Sequence, residues 1–92
     1  LAPDEYQDAF YESLKQKGIE NYDKAIASLE KCIKLKPSDA VAYFEVGKNY
    51  LALKEYQNAQ VAFEQYISFS HQQRAAFLEA IGSADSNMSM IG

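Results

Sequence analysis

Residues 43–50, YFEVGKNY, place a glycine inside an apolar pattern that recurs every three or four residues. This spacing is typical of an amphipathic helix, yet Gly47 destabilises a helix by about 1 kcal/mol relative to alanine. The glycine is explained if another helix packs so closely against this point that no side chain fits. The stretch therefore predicts closely packed antiparallel helices, and a glycine at a simple helix break is the alternative.

The rest of the chain shows helix signals separated by short breaks, without a persuasive strand pattern. Asp4 is expected to cap the first helix and Asn21 the second, whereas Ser38 or Asp39 caps the third after the stop at Pro37. Five helices are predicted: the first ends at Gly18, the second stops at Pro37, the third covers about 40–53, the fourth follows the break at 54–58 and continues to about Phe69, and the fifth covers about 71–82. The fifth is opened by a capping-box pattern, Ser70 with Gln73, and ended by Gly82. Residues 83–92 are small, polar and aperiodic, which predicts a flexible tail.

The chain resembles itself after a shift of 34 residues. Large apolar residues fall on large ones and small residues on small ones, mainly on the predicted packing faces. Gly47 falls on Ser13, and we expect both to lie opposite the small residues Ala25 and Ala59. The identical pairs that support this register include Phe10/Phe44, Tyr22/Tyr56, Ala25/Ala59, Glu30/Glu64 and Ile33/Ile67.

This period and its residues resemble the tetratricopeptide repeat family, whose unit is a helix–turn–helix. The family pattern is matched by Tyr43, Val46–Gly47, Tyr50, Ala59 and Phe63, with His71 in the place of a proline. The first unit matches at Ala25, Leu29 and Pro37 but departs from the pattern in its first helix. The resemblance implies an all-α, helix–turn–helix repeat fold. Its expected domain covers 4–82, with repeat one at about 6–39, repeat two at about 40–73 and a terminal capping helix at about 71–82.

Composition and residue types exclude several functional classes. The chain has 92 residues, 48% of them apolar, and a net charge of −4 with scattered basic residues, which argues against nucleic-acid binding. No apolar run is long enough to span a bilayer. Cys32 is the single cysteine and is expected to be a buried small hydrophobe, and His71, the single histidine, a surface residue. We therefore predict no enzymatic activity, no metal and no cofactor; the compartment stays open.

What the resemblance implies for function is a protein-interaction module that receives a peptide or helix in a concave groove. Glu45 and Leu14 replace residues that a carboxylate-clamp subgroup would need, so that specialised mode is not expected. An apolar stripe with a cation at its middle suits an apolar or partly acidic segment. The candidate groove residues are Phe10, Leu14, Lys17, Phe44, Glu45, Lys48 and Leu51.

Two alternatives remain open for this surface. The apolar stripe can instead be core between helices, and the two lysines can be plain solvated surface. Two repeats are also few for a stable solenoid, which generally needs about three. The chain is therefore either a segment of a longer repeat protein or a structural element that stacks or self-associates. A homodimer through the unfinished repeat end, aided by Met88, Met90 and Ile91, belongs to this second hypothesis.

Overall fold

The computed structural model describes the backbone of residues 4–91 and the side chains of residues 4–82. The described residues form four α-helices and no strand. Successive helices pack against each other, so that two helical hairpins stack side by side. This confirms the predicted all-α helix–turn–helix repeat fold. The helices are α1 (Glu5–Gly18), α2 (Tyr22–Leu35), α3 (Ala40–Ala52) and α4 (Tyr56–Ile91).

Aspartate side chains cap the N-terminus of the first helix of each hairpin. The Asp4 carboxylate accepts hydrogen bonds from the backbone N–H groups of Tyr6 and Gln7, at 3.0 and 3.2 Å. Asp39 accepts one from Val41 N–H at 3.1 Å. These bonds satisfy donors that the helix itself leaves unpaired. The predicted cap at Asp4 is confirmed, whereas Asn21 precedes α2 without a side-chain capping bond.

The turn inside each hairpin has the same backbone geometry, repeated after 34 residues. Glu20 and Lys54 both adopt a φ of 61°, in the left-handed region that non-glycine residues rarely occupy. In both turns, the N–H of this residue donates to the carbonyl three residues before it, at 2.9 Å for Glu20 and 3.0 Å for Lys54. These bonds close the C-terminal turns of α1 and α3. The two hairpins therefore share one turn conformation despite different turn sequences.

The core lies at the junction between the two hairpins, and we call it the junction core. It combines large residues with alanines, because all four helices contribute residues to it at close range. Tyr6, Phe10, Ile33 and Tyr50 pack around its edge while remaining partly exposed. The junction core comprises Ala9, Cys32 and Ala42, together with Leu29, Val46 and Ala62.

Gly47 is buried within α3, and its immediate neighbour is an aromatic ring. A β-carbon built on Gly47 would lie 2.5 Å from Phe63 Cε1, far inside van der Waals contact. The predicted close approach at Gly47 is therefore present, but the atoms that require it belong to the Phe63 ring. We expected small residues opposite the glycine. The corresponding pair in the first hairpin is Ser13, which is buried, and Leu29.

The last helix differs from the prediction. Helix α4 continues without interruption from Tyr56 to Ile91, so the predicted break at Ser70 and the separate capping helix at 71–82 are replaced by one long helix. The reason is that Ser70–Gln73 contains neither proline nor glycine, and His71 stands where Pro37 ends α2. The backbone of 83–91 also continues this helix where a flexible tail is predicted. The side chains of that segment, Met88, Met90 and Ile91 among them, lie outside the described residues.

Candidate peptide-binding face

The predicted groove residues lie on α1 and α3, and an ion pair connects these two helices. Lys17 Nζ on α1 lies 3.7 Å from Glu45 Oε2 on α3, and Lys48 Nζ lies 2.9 Å from Glu45 Oε1. One carboxylate therefore lies between two ammonium groups. We call the exposed surface formed by Leu14, Lys17, Phe44, Lys48 and Leu51 around Glu45 the groove face.

Charge on the groove face is mostly compensated internally. The Glu45 side chain is only 12% exposed, whereas about a third of each lysine side chain is exposed, 35% for Lys17 and 36% for Lys48. The hydrogen bond to Glu45 raises the pKa of the Lys48 ammonium, against the opposing effect of its desolvation. Two cations and one anion leave a net charge of +1. An acidic ligand would have to compete with Glu45 for both lysines.

The centre of the groove face is the ring of Phe44. It packs against Tyr66 and Phe63 of α4, with ring centroids 4.9 and 5.8 Å apart in tilted arrangements. Lys48 Nζ lies 5.0 Å from the Phe44 ring centroid, within the range of a cation–π interaction. The residue nevertheless remains 37% exposed. Phe44 therefore exposes apolar surface while its ring is held in position by Phe63 and Tyr66.

Two leucines extend the apolar surface on either side of the charged group. Leu14 on α1 is 41% exposed and Leu51 on α3 is 45% exposed. Both expose substantial apolar area to solvent. Phe10 differs from them, because it stacks on Tyr6 and packs against both halves of the junction core. Of the seven predicted residues, Phe10 therefore lies mainly in the core.

A concave region away from the groove face was missed by the sequence reasoning. A shallow cleft of about 240 Å³ lies between α2, α3 and α4 and is lined by Ile33, Tyr50, Val61 and Gln65 among others. Burial, and after it the nearby carboxylate of Glu30, raises the pKa of the Tyr50 hydroxyl. None of the predicted groove residues lines this cleft. No local pattern could have revealed it, since its walls come from three helices.

The remaining reactive side chains do not form a chemical site in the described part of the chain. Cys32 is fully buried, as predicted, and its thiol lies 3.7 Å from the carbonyl oxygen of Tyr6. Burial, with a smaller contribution from Asp39, raises the pKa of this thiol, which disfavours the reactive thiolate. His71 is exposed. Among residues 4–82 there is no cluster of His, Cys, Asp and Glu arranged to hold a metal ion.

Comparison with known protein families agrees with this geometry. The sequence model described as tetratricopeptide repeat matches residues 10–39 and 40–73, together more than half of the chain. The chain belongs to the tetratricopeptide repeat family. The two matched segments correspond to the two hairpins, and the second ends where α4 leaves the body of the repeats. No curated protein and no solved structure gives a significant match.

Tetratricopeptide repeats generally mediate protein–protein interactions and are typically non-catalytic scaffolds. The family thus accounts for the paired helices, the 34-residue period and the small residues where helices approach. None of the helices in the described part of the chain is both long enough and apolar enough to cross a membrane.

Proposed function

We propose that this chain is a non-catalytic protein-interaction domain that binds an apolar peptide segment or helix along the groove face. The observation that carries the proposal is the exposure of Phe44, which stays 37% exposed although three side chains pack around its ring. A rigid aromatic side chain loses little conformational entropy on binding, and such residues commonly anchor interfaces. Leu14 and Leu51 supply further apolar contact.

The charge arrangement defines the ligand further. Glu45 already pairs with both Lys17 and Lys48, and salt screens the charges of these partly exposed lysines. A carboxylate-rich ligand therefore gains little binding free energy from them. Apolar side chains at helical or extended spacing gain more, because burying apolar area contributes about 25 cal/mol per Å². We therefore favour a ligand with two or more apolar anchors and at most a few acidic residues.

A test begins with peptides selected from a random display library against the 92-residue chain, which are then labelled and titrated in solution. Leu14→Lys and Leu51→Lys place a charge on the groove face and should each weaken binding at least about tenfold, or 1.4 kcal/mol. Leu35→Lys is the matched control, because Leu35 on α2 is 42% exposed but lies outside the groove face. Circular dichroism verifies that all three variants remain folded.

The comparison of variants decides the proposal. If Leu14→Lys and Leu51→Lys bind the selected peptides as tightly as Leu35→Lys does, the ligand does not lie on the groove face. If Leu35→Lys alone weakens binding, the ligand lies along α2 instead. Either result overturns the assignment.

A further inference from the structure

The part of α4 that extends past the two repeats carries an apolar stripe with nothing packed on it. Phe77 is 64% exposed, Leu78 is 52% exposed and Ile81 is 41% exposed, and Ala76 and Ala80 are exposed beside them. Consecutive large apolar residues at this exposure are unusual on a free helix of a globular domain. The stripe is therefore expected to be covered in the native assembly.

The repeat register shows what kind of contact the stripe is suited to. Thirty-four residues earlier, α3 uses two of the corresponding positions to pack on α2: Ala42 is fully buried and Val46 is 7% exposed. Tyr43, which is 8% exposed, stacks on Phe69 of α4 instead. The neighbouring Val41 lies outside this contact and is 51% exposed. Residues 76 and 80 thus occupy the positions with which a third repeat's first helix would pack on the preceding helix, and Ala75 occupies the exposed one.

The face that would receive such a helix is also present, on the first half of α4. On α2, Leu29 and Cys32 meet the residues Val46 and Ala42 of α3 in the junction core. The same positions on α4 are Phe63 and Tyr66, and the residues that would face them are Ala80 and Ala76. Larger residues on the receiving helix are matched by alanines on the incoming one. Ile67, the counterpart of the half-buried Ile33, is 52% exposed and free to be covered.

The stripe cannot reach this face within the same chain. Tyr66 and Ala76 lie on one continuous helix, ten residues or about 15 Å apart along its axis. The Gln73 side chain donates a hydrogen bond to the Ser38 carbonyl at 3.1 Å, which ties α4 to the turn between α2 and α3 in this extended course. Residues 74–82 can therefore pack on a Tyr66 face only in another copy of the chain.

We propose that two copies of this chain exchange residues 74–82, so that each extended helix packs as the fifth helix on its partner's α4. The first helix of each repeat runs antiparallel to the helix before it, so the two α4 helices also run antiparallel and a twofold axis closes the pair. The inference goes beyond the proposed ligand binding, and none of its contact residues belongs to the groove face, although Tyr66 also packs against Phe44. In the dimer, Ala76 of each chain contacts the partner's Tyr66.

Sedimentation velocity over a range of concentrations tests the dimer with two adjacent alanines. Ala76→Glu places a charge where a fully buried alanine is expected and should make the chain monomeric. Ala75→Glu, the matched control at the neighbouring exposed position, should dimerise like the wild type. A wild-type chain that is monomeric at every concentration overturns the proposal, and so does an equal effect of the two substitutions.

Disulfide trapping identifies the register of the contact. In Tyr66→Cys/Ala76→Cys, mild oxidation should give a covalent dimer on a non-reducing gel, because each new thiol faces the partner's. Gln65→Cys/Ala75→Cys places both cysteines one residue earlier in the sequence, so that they point away from the proposed contact. This variant should give no covalent dimer. Cys32 does not compete, since it is fully buried. An internally bridged monomer would mean that 74–82 folds back on its own α4, and a ladder of larger oligomers would mean open-ended stacking; both overturn reciprocal exchange.

Discussion

The ring of Phe63 covers Gly47 so closely that a β-carbon at position 47 would lie 2.5 Å from Phe63 Cε1. Alanine should gain about 1 kcal/mol in helix propensity at this position. The clash costs more, because the Phe63 ring is also held by Phe44. We therefore expect Gly47→Ala to lower the free energy of unfolding by about 1–2 kcal/mol overall, measured by urea denaturation.

The first hairpin suggests a second substitution that should compensate for the stability lost when Gly47 is replaced. It carries Ser13 and Leu29 where the second carries Gly47 and Phe63, and both residues are buried there. The double variant Gly47→Ser/Phe63→Leu should therefore recover much of the stability that Gly47→Ser loses alone. Additive losses in this double-mutant cycle would show that the ring is not the obstacle.

Glycine at either of the two turn residues with positive φ, Glu20 or Lys54, should raise the stability of the fold. Lys54 has a φ of 61°, a conformation that costs non-glycine residues roughly 1–2 kcal/mol. Lys54→Gly relieves this strain but raises the entropy of the unfolded chain, so the net gain should be about 0.5–1 kcal/mol. Lys54→Ala, which keeps a β-carbon, is the control and should not raise the melting temperature. Glu20→Gly should behave like Lys54→Gly.

The two predicted helix caps should differ in strength. Asp4→Ala removes two hydrogen bonds to the first turn of α1 and should cost about 1 kcal/mol. Asn21→Ala should cost much less, because the Asn21 side chain makes no capping bond at the start of α2. Thermal denaturation of the two variants gives the comparison, and equal losses would contradict the hydrogen-bond explanation.

Alkaline pH should destabilise the fold through Tyr6. Its hydroxyl is buried without a hydrogen-bond partner among the described residues, and burial together with the Asp39 carboxylate raises the pKa of Tyr6 well above 10.0. Above pH 10 the unfolded state releases this proton while the native state retains it, so stability falls as pH rises. Tyr6→Phe should remove up to about 1.4 kcal/mol per pH unit of that decline.

The measurement for this substitution is the free energy of unfolding at a series of pH values. At neutral pH, Tyr6→Phe should be neutral or slightly stabilising, since it deletes an unpaired buried hydroxyl. Tyr56→Phe, at a residue that is 63% exposed, is the control and should follow the wild-type curve. Parallel curves for wild type and Tyr6→Phe above pH 10 would argue against the assignment.

The ion pairs of the Glu45 carboxylate with Lys17 and Lys48 should contribute little to the stability of the fold. Both lysines are about one-third exposed, and ion pairs of this kind contribute about 0–1 kcal/mol. We expect Glu45→Gln to lower stability by less than about 1 kcal/mol at low salt, with the loss shrinking at high salt. Glu30→Gln, at an exposed position, is the control for a change in net charge. A large, salt-independent loss would indicate that Glu45 has a different structural role.

Local patterns predicted the hairpins because each relevant signal is carried by nearby residues. The alternation of small and large residues sets the packing register, and Pro37 ends α2 where its missing N–H cannot continue the helix. At Ser70 and Gln73 the capping-box pattern was misleading, since both residues are also compatible with a helix interior. Helix α4 therefore continues.

The candidate site was less accessible from the sequence. Glu45 and Lys48 are three residues apart on one helix, so their pairing can be read from spacing. The contact of Glu45 with Lys17 joins residues 28 positions apart and depends on how α1 lies beside α3. The role of Phe10 was left undecided for the same reason, because its burial depends on helices that meet only after folding.

Modification of the single thiol of the chain, on Cys32, can report how firmly the two hairpins pack against each other. Cys32 is sealed between the first three helices, so a soluble disulfide reagent reaches it only after the hairpins part. The rate of its modification, compared with the rate in denaturant, therefore measures the free energy of that parting. No label needs to be introduced to follow it.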